Sequence, residues 1–523
     1  MKHVLIPTKL SSIAKELLEA RGFSVTQDSE TPLADVIAAH PETDALIVRS
    51  EKITPDVIDA LPKLKVVVRA GAGYNTIDIK YARKKGVDVM NTPGANANAV
   101  AEEVVALMLA RARHIVPADT STRAGLWEKK NFMGGEITGK TIGVVGLGNI
   151  GQRVVKLLQG FDVTVLGYDP VLSAQRAKEL AVDIVSLEEL FSRSDYVTLH
   201  IPENEDTRGM INRDYFGLMK DGACLINCAR AGVIDENDLR AVKAGKNLGF
   251  CNDVYPKDEA GAKSVADIAD IMLPHLGAST VEANTNAARR AAEQLMAYAE
   301  QGVSRYVVNK GVPDDLDEDY QMLAYFITVI AHRCLGANRA VRKIETSFYG
   351  DLNHYAQWLL PPIVAGLSRD FDAFCDPEEA EQYLEDKGVE YINRQPDPRK
   401  AFDNSITIDL LEGDSEVKQV SIRGTIAEGH IMISRIDNFE GLYFQPFGHS
   451  LIAKYQDRPG VLAGITSVLA ENGINIDDIR SPHDEKGVNS LAVLKTNQAV
   501  GESVVRHIKD RTGIELVFAI SLP

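Results

Sequence analysis

Short runs of apolar residues alternate with helical repeats over the first half of the chain. Residues 4–8 (VLIPT), 44–50 (DALIVRS), 65–70 (KVVVRA) and 87–92 (VDVMNT) read as strands. Residues 11–22 and 54–62 carry apolar positions at helical spacing between them. Strands alternating with helices imply a parallel, doubly wound sheet covered on both faces. The stretch ANANAVAEEVVALMLARARHIV then predicts one long helix, with Val100, Val104, Leu107 and Met108 on a common face. Its acidic residues come early and its arginines late, the order a helix dipole favours. Such a helix is placed to hinge two domains.

A second series follows. Residues 141–146, 163–169, 196–202, 224–229, 248–255 and 270–275 are the near-continuous apolar runs expected of buried parallel strands. A helix over 280–302 leads into 306–313, which reads as a strand returning to the first sheet. Residues 314–319 (DDLDED) form an acidic linker, and residues 320–450 mix helices and strands without a chemical motif. The tail reads βαββαβ, a ferredoxin-like split βαβ order. The predicted α/β architecture is therefore two doubly wound parallel-sheet (Rossmann-like) domains, 1–97 with 286–313 and 98–285, then an α+β intervening domain, 314–449, and a ferredoxin-like βαββαβ domain, 450–523.

Composition narrows the function. A chain of 523 residues has room for about three or four domains. Its 57 Lys and Arg against 74 Asp and Glu leave a net charge of −17, which disfavours a nucleic-acid or anionic-membrane partner. No apolar run reaches the roughly 18 residues of a membrane span, and the N-terminal apolar stretch is too short for a signal peptide. Five scattered cysteines without a CxxC pair read as reduced thiols of a cytoplasmic protein, with no zinc site.

Gly146-Leu147-Gly148-Asn149-Ile150-Gly151 stands directly after one strand and opens an amphipathic helix. In that context GxGxxG is a dinucleotide signature: Gly146 for the tight turn, Gly148 for pyrophosphate approach, Gly151 for close helix packing. The helix N-terminus supplies N–H groups and a positive dipole end. Asp169 ends the next strand, where a carboxylate accepts ribose hydroxyls and repels a 2′-phosphate, so NAD is expected rather than NADP.

Hydride transfer at an alcohol carbon needs a base, a cation and a carboxylate that tunes the base. Strand ends of the second domain offer His275, Arg230 and the acids of DVYPKDEA. Here the sequence resembles the NAD-dependent D-2-hydroxyacid dehydrogenases, most closely their long-form D-3-phosphoglycerate dehydrogenase branch. RAGAGYNTID, NTPGANANAVAE, KTIGVVGLGNIG, LHIPENEDTRGMI, NCARAGVID, DVY and PHLGAST carry the resemblance in order, and DRPGVLAGITSVLAENGINI resembles a regulatory ACT domain.

The resemblance implies His275 as acid/base and Arg230 as the group that holds the substrate carboxylate. The family's third group is a Glu five residues after the Asp of its strand end. Counting from Asp253 gives Asp258; Glu259 matches with one inserted residue and is slightly favoured for its reach, and the choice stays open. Cys228, Ala229 and Asp253 fall where the family approaches the nicotinamide, and Thr207 near the adenosine and phosphate side. Arg49, Ser50, Arg69 and Gly71 lie at ends of first-domain strands, where the matching arginines of phosphoglycerate dehydrogenases face the phosphate. Tyr455, Asp457 and Asn475 match effector positions of ACT domains that pair across subunits. The implied reaction is NAD-dependent oxidation of D-3-phosphoglycerate, the first step of serine synthesis, by a homo-oligomer, dimer or tetramer, with L-serine as effector. The alternatives are a hydroxypyruvate or glyoxylate reductase and a non-catalytic NAD-sensing scaffold.

Overall fold

The computed structural model describes residues 2–522 except 75, 205–206, 302–305, 310–312, 314, 337–339, 369–370, 372, 374, 398–401, 413–418 and 515. Two units are compact, one of residues 1–311 with 374–379 and one of 312–373 with 380–523.

The first unit holds two parallel sheets. Strands β1 (His3–Ile6), β2 (Ser24–Gln27), β3 (Ala45–Val48), β4 (Val66–Arg69) and β5 (Asp88–Met90) form the first, in the order β2-β1-β3-β4-β5. Strands β1 and β3 are buried at every residue, which explains their unbroken apolar runs. Helix α1 (Ala97–Ala112) then buries Val100, Ala101, Val104, Leu107 and Met108 with the core of the second sheet. The single long helix predicted here is broken: His114 adopts a left-handed φ of +52°, and a separate helix α2 (Ile115–Arg123) follows.

The second sheet comprises β6 (Thr141–Val145), β7 (Thr164–Tyr168), β8 (Asp183–Ile184), β9 (Tyr196–Leu199), β10 (Cys224–Asn227), β11 (Gly249–Asn252) and β12 (Ile271–Met272). Its order is β12-β11-β10-β9-β6-β7-β8, so the direction of winding reverses between β6 and β9. Ligands of open α/β sheets bind in the crevice at such a reversal, beyond the carboxyl ends of the strands. Helix α3 (Asn149–Leu158) starts there.

Helix α4 (Val281–Gln301) runs unbroken through residue 286, the expected domain boundary. Ala287, Ala288, Ala291, Ala292 and Leu295 pack in the core of the first sheet, small side chains permitting a close approach. The expected return strand at 306–313 is only a bridge, Met90 to Val307, and residues 310–312 of it, like residue 314 of the linker, lie outside the described residues. Asn309 ties this segment down. Its Oδ1 accepts from Val89 N at 2.7 Å and its Nδ2 donates to Val87 O at 2.8 Å.

In the second unit, helices α5 (Glu318–Leu335) and α6 (Ala356–Leu367) accompany a mixed sheet ordered β14-β13-β15-β16-β17-β18. Its strands are β13 (Val341–Phe348), β14 (Glu390–Asn393), β15 (Ser405–Glu412), β16 (Val420–Ala427), β17 (His430–Ile436) and β18 (Phe439–Phe444). A polar cavity of about 860 Å³, lined by Arg394, Arg423, Arg435, Asp437 and Glu440 among others, opens beside this sheet. The tail is β19 (Gly448–Gln456), α7 (Val461–Glu471), β20 (Ile476–Arg480), β21 (Asn489–Thr496), α8 (Glu502–Thr512) and β22 (Leu516–Leu522), the expected βαββαβ. Among the described residues, no helix is long and apolar enough to cross a membrane.

Asn309→Ala strands a buried N–H and a buried carbonyl. Each such group costs about 1–3 kcal/mol. The expected outcome is a lower Tm for the transition of the first unit in calorimetry, with the second unit's transition unmoved.

Candidate active site

The glycine turn sits at the reversal point of the second sheet. Gly146 has φ +89°, and a Cβ there would lie 2.7 Å from the His200 carbonyl oxygen beyond β9. A Cβ on Gly151 would lie 2.0 Å from the Gly146 carbonyl oxygen, so α3 touches the turn at that point. A Cβ on Gly148 would meet nothing within 4 Å. The helix N-terminus therefore faces open space. Asn149 is exposed and lies against Gly94 of the first domain, and Ile150 is half-buried at the mouth.

Asp169 is buried at the end of β7. Its Oδ2 accepts from Leu147 N at 2.8 Å, and its Oδ1 from Val171 N at 3.0 Å and Leu172 N at 3.1 Å. These bonds orient the carboxylate at the end of the strand. Turn, open helix end and oriented carboxylate fit a dinucleotide. Thr207 lies in the loop that follows β9. It is 1% exposed, and its hydroxyl donates to Pro202 O at 2.7 Å, a bond that shapes the loop.

Asp253 follows β11 and is almost fully buried. Its Oδ1 accepts from Leu276 N at 2.8 Å and its Oδ2 from Gly277 N at 3.1 Å. These bonds hold the backbone just after His275, which adopts a left-handed φ of +57°. His275 Nδ1 lies 2.7 Å from Asp258 Oδ2. A carboxylate only accepts, so Nδ1 carries the hydrogen and Nε2 is left as the basic nitrogen. Glu259, the slightly favoured partner, is not against His275: the strict count holds, and Glu259 is an exposed residue whose carbonyl accepts from Lys263 Nζ.

Three arginines converge in front of this loop. Arg49 follows β3, and its Nη2 donates to Ala278 O at 3.0 Å, beyond His275. Arg69 ends β4, and its Nε donates to the Arg49 carbonyl at 3.1 Å. A Cβ on Gly71, where φ is +151°, would collide with the Arg69 guanidinium. Arg230 is exposed, donates to Ala229 O at 2.7 Å, and lies beside Gly73 of the first domain. Burial pushes the Arg69 guanidinium down to about 10, and the charges of Arg49 and Arg230 act in the same direction. Like charges gathered this way address an anion. Ser50 is exposed, its N–H donating to the Glu51 carboxylate at 3.1 Å.

Cys228 and Ala229 are buried in the turn after β10. Burial, then Glu103 and Asp253, push the Cys228 thiol up, so it stays protonated and is no nucleophile. Two residues of the site escaped the sequence reading. Asn227 orders the Cys228–Arg230 turn by donating to Arg230 O at 3.0 Å and accepting from Ala229 N at 3.1 Å; its place before CAR was the available signal. Glu103 read as an acid suited to the start of a helix, yet its carboxyl is buried behind the His275 loop.

The tail positions do not converge within one chain. Tyr455 sits on β19 opposite Ser490. The Asp457 carboxylate takes a bond from Ser490 Oγ at 3.3 Å, and Gly460, not Asp457, precedes α7. Asn475 precedes β20, whose first residue pairs with Thr496 at the other end of β21. At roughly 3.4 Å per residue, the length of β21 separates them by more than 20 Å.

Residues 105–277 match the model of the D-isomer specific 2-hydroxyacid dehydrogenase NAD binding domain, and residues 449–513 match the ACT domain. A D-3-phosphoglycerate dehydrogenase of Methanocaldococcus jannaschii is 33% identical, with 100% of each chain covered. One of Archaeoglobus fulgidus is 32% identical over 98% of this chain and 100% of its own. An NAD+-bound 3-phosphoglycerate dehydrogenase structure from Entamoeba histolytica has 30% identity and a TM-score of 0.50, covering 59% of this chain and 99% of its own.

Gly151→Ala forces a Cβ against the Gly146 carbonyl. Overpacking of this kind costs about 1–3 kcal/mol. We expect a lowered Tm and an NAD affinity weakened by about tenfold in calorimetric titration, because the turn must move.

Proposed function

Because the chain belongs to the D-isomer-specific 2-hydroxyacid dehydrogenases, we propose that it oxidises D-3-phosphoglycerate to 3-phosphohydroxypyruvate with NAD, the first step of serine synthesis. The observation that carries this reading is the convergence of Arg49, Arg69 and Arg230 beside His275, in a chain related over its full length to proteins named D-3-phosphoglycerate dehydrogenase.

The substrate carries a phosphate and a carboxylate, and the cleft answers with three cations. Arg49 and Arg69 take the phosphate. Arg230 takes the carboxylate through its planar donor fork and polarises the C2 oxygen. His275 Nε2 removes the C2 hydroxyl proton, and Asp258 stabilises the imidazolium that forms. NAD, when bound, supplies the hydride acceptor. The Arg49 bond to Ala278 links the phosphate site to the loop that carries the base, so substrate binding favours the aligned geometry.

Assembly as a dimer or tetramer is supported by an apolar surface around α2. Ile115, Val116 and Leu126 are about half exposed, and Trp127 and Met133 are 87% and 86% exposed. Apolar surface of this kind marks an interaction site. Control by L-serine is supported by the ACT tail: a serine that touches both Asp457 and Asn475 needs a second copy of the chain, since one copy holds them far apart. Cytoplasmic residence is supported by the five cysteines, scattered along the chain without a CxxC pair.

NADH formation from D-3-phosphoglycerate, compared with D-glycerate and D-lactate, tests the substrate. Arg49→Ala and Arg69→Ala raise the KM for the phosphorylated acid and leave that for D-glycerate unmoved. Equal effects on both point to the hydroxypyruvate or glyoxylate reductase instead. Among the acids, Asp258→Asn lowers kcat by about 100-fold, the low end of the usual worth of general acid–base catalysis. Glu259→Gln stays within about twofold of wild type; the reverse result returns the role to Glu259.

A further inference from the structure

Glu103 has no role in the reaction derived above, yet its surroundings are unusual. It lies on α1, which packs on the second sheet. Both carboxyl oxygens are shut off from solvent, and no described N–H or O–H group reaches either of them. The polar group that faces them is the carboxylate of Asp253. Both acids press on the same point of backbone. A Cβ on Gly277 would lie 3.1 Å from Glu103 Oε2 and 3.5 Å from Asp253 Oδ2. Among the described residues the Cys228 thiol faces both acids and the Tyr255 hydroxyl acts on Asp253; both stay protonated, held up by burial and the neighbouring acids, and neither adds charge.

Two carboxylates cannot both ionise in such a place without strong repulsion. Asp253 has two backbone donors, from Leu276 and Gly277, which address a carboxylate. Glu103 has none. The hydrogen bond open to it is one in which its own O–H donates to Asp253.

We propose that Glu103 is a positioning residue for His275: its carboxylic acid shares one proton with Asp253, and the pair, carrying a single negative charge, keeps the bonds to Leu276 and Gly277 that set the loop. This rests on the dehydrogenase reading for its consequence in turnover, not for its geometry. Burial, with the Asp253 charge second, pushes the Glu103 carboxyl up to about 8. Below that pH the proton is present and the clamp is whole. As pH rises through it the proton leaves, two anions face each other, and the hold on the His275 loop weakens.

Glu103→Gln and Glu103→Leu test the assignment. A glutamine amide donates to Asp253 at every pH, so E103Q retains most of the wild-type kcat at neutral pH and lacks the decline in kcat/KM centred near 8. Leucine donates nothing, so E103L loses about tenfold in kcat at all pH values, a loss that glutamine rescues. A readout without turnover stands beside these. Wild-type minus E103Q infrared difference spectra show the C=O stretch of a protonated carboxylic acid that fades as pH passes about 8. Identical pH profiles for wild type and E103Q, full activity in E103L, or no such band, each overturns the proposal. A wild-type enzyme that leaves D-3-phosphoglycerate untouched sinks the substrate reading alone, and the infrared band still decides the state of Glu103.

Discussion

The active end of the first unit depends on one buried carboxylate. Asp253 follows β11 and takes two backbone N–H bonds from Leu276 and Gly277. Those bonds hold His275 in left-handed backbone, a conformation that costs a non-glycine residue roughly 1–2 kcal/mol. Hydrogen bonds to a charged acceptor contribute about 1.5–3 kcal/mol each, enough to keep the loop in that shape. The orientation of the imidazole toward Asp258 follows from it. So does the position of Ala278, whose carbonyl receives Arg49 from the first domain.

Charge is arranged around that loop in two layers. On the cleft side stand Arg49, Arg69 and Arg230; behind it lie Asp253 and Glu103. Burial acts in opposite directions on the two sets. It lowers the Arg69 guanidinium, and it raises the Glu103 carboxyl. In both places the charged form is strained where water is scarce. An anionic ligand relieves the first strain, and a retained proton relieves the second. The loop is thus pulled toward its working geometry from both sides.

Much of this was legible in the sequence because parallel strands buried on both faces leave unbroken apolar runs, as at 45–48 and 66–69. The glycine turn was legible because steric contact at Gly146 and Gly151 admits nothing larger. Short or polar edge strands were not: β2, Ser24–Gln27, has no fully buried residue, and β8 is two residues long. The break at His114 escaped because nothing in the polarity of RARHIV (111–116) marks a left-handed residue other than glycine; here the residue is a histidine at the junction of two helices. The Asp258–Glu259 choice turned on loop geometry, which no spacing specifies. The burial of Thr207 and of the Glu103 carboxyl was not legible, for one reason. Burial of a polar side chain is decided by what the fold brings over it, not by its neighbours in the chain. The cavity of the second unit was invisible likewise, since Arg394, Arg423 and Arg435 lie on or beside three separate strands.

The division between exposed and buried polar groups carries a further consequence. His275 and Asp258 are 43% and 56% exposed, and Arg230 is open to the cleft. Asp253, Asn227 and the Glu103 oxygens are shut away. Groups that meet the ligand must give up water when it arrives, so their interactions strengthen only in the closed complex. Groups that hold the site have given up water already, on folding, and so are fixed before any ligand comes. Preorganisation here is a property of the buried set, and reactivity of the exposed one. Asp258 illustrates the boundary. Half exposed, it is screened by solvent in the open cleft, so its full electrostatic hold on His275 develops only as the cleft is filled.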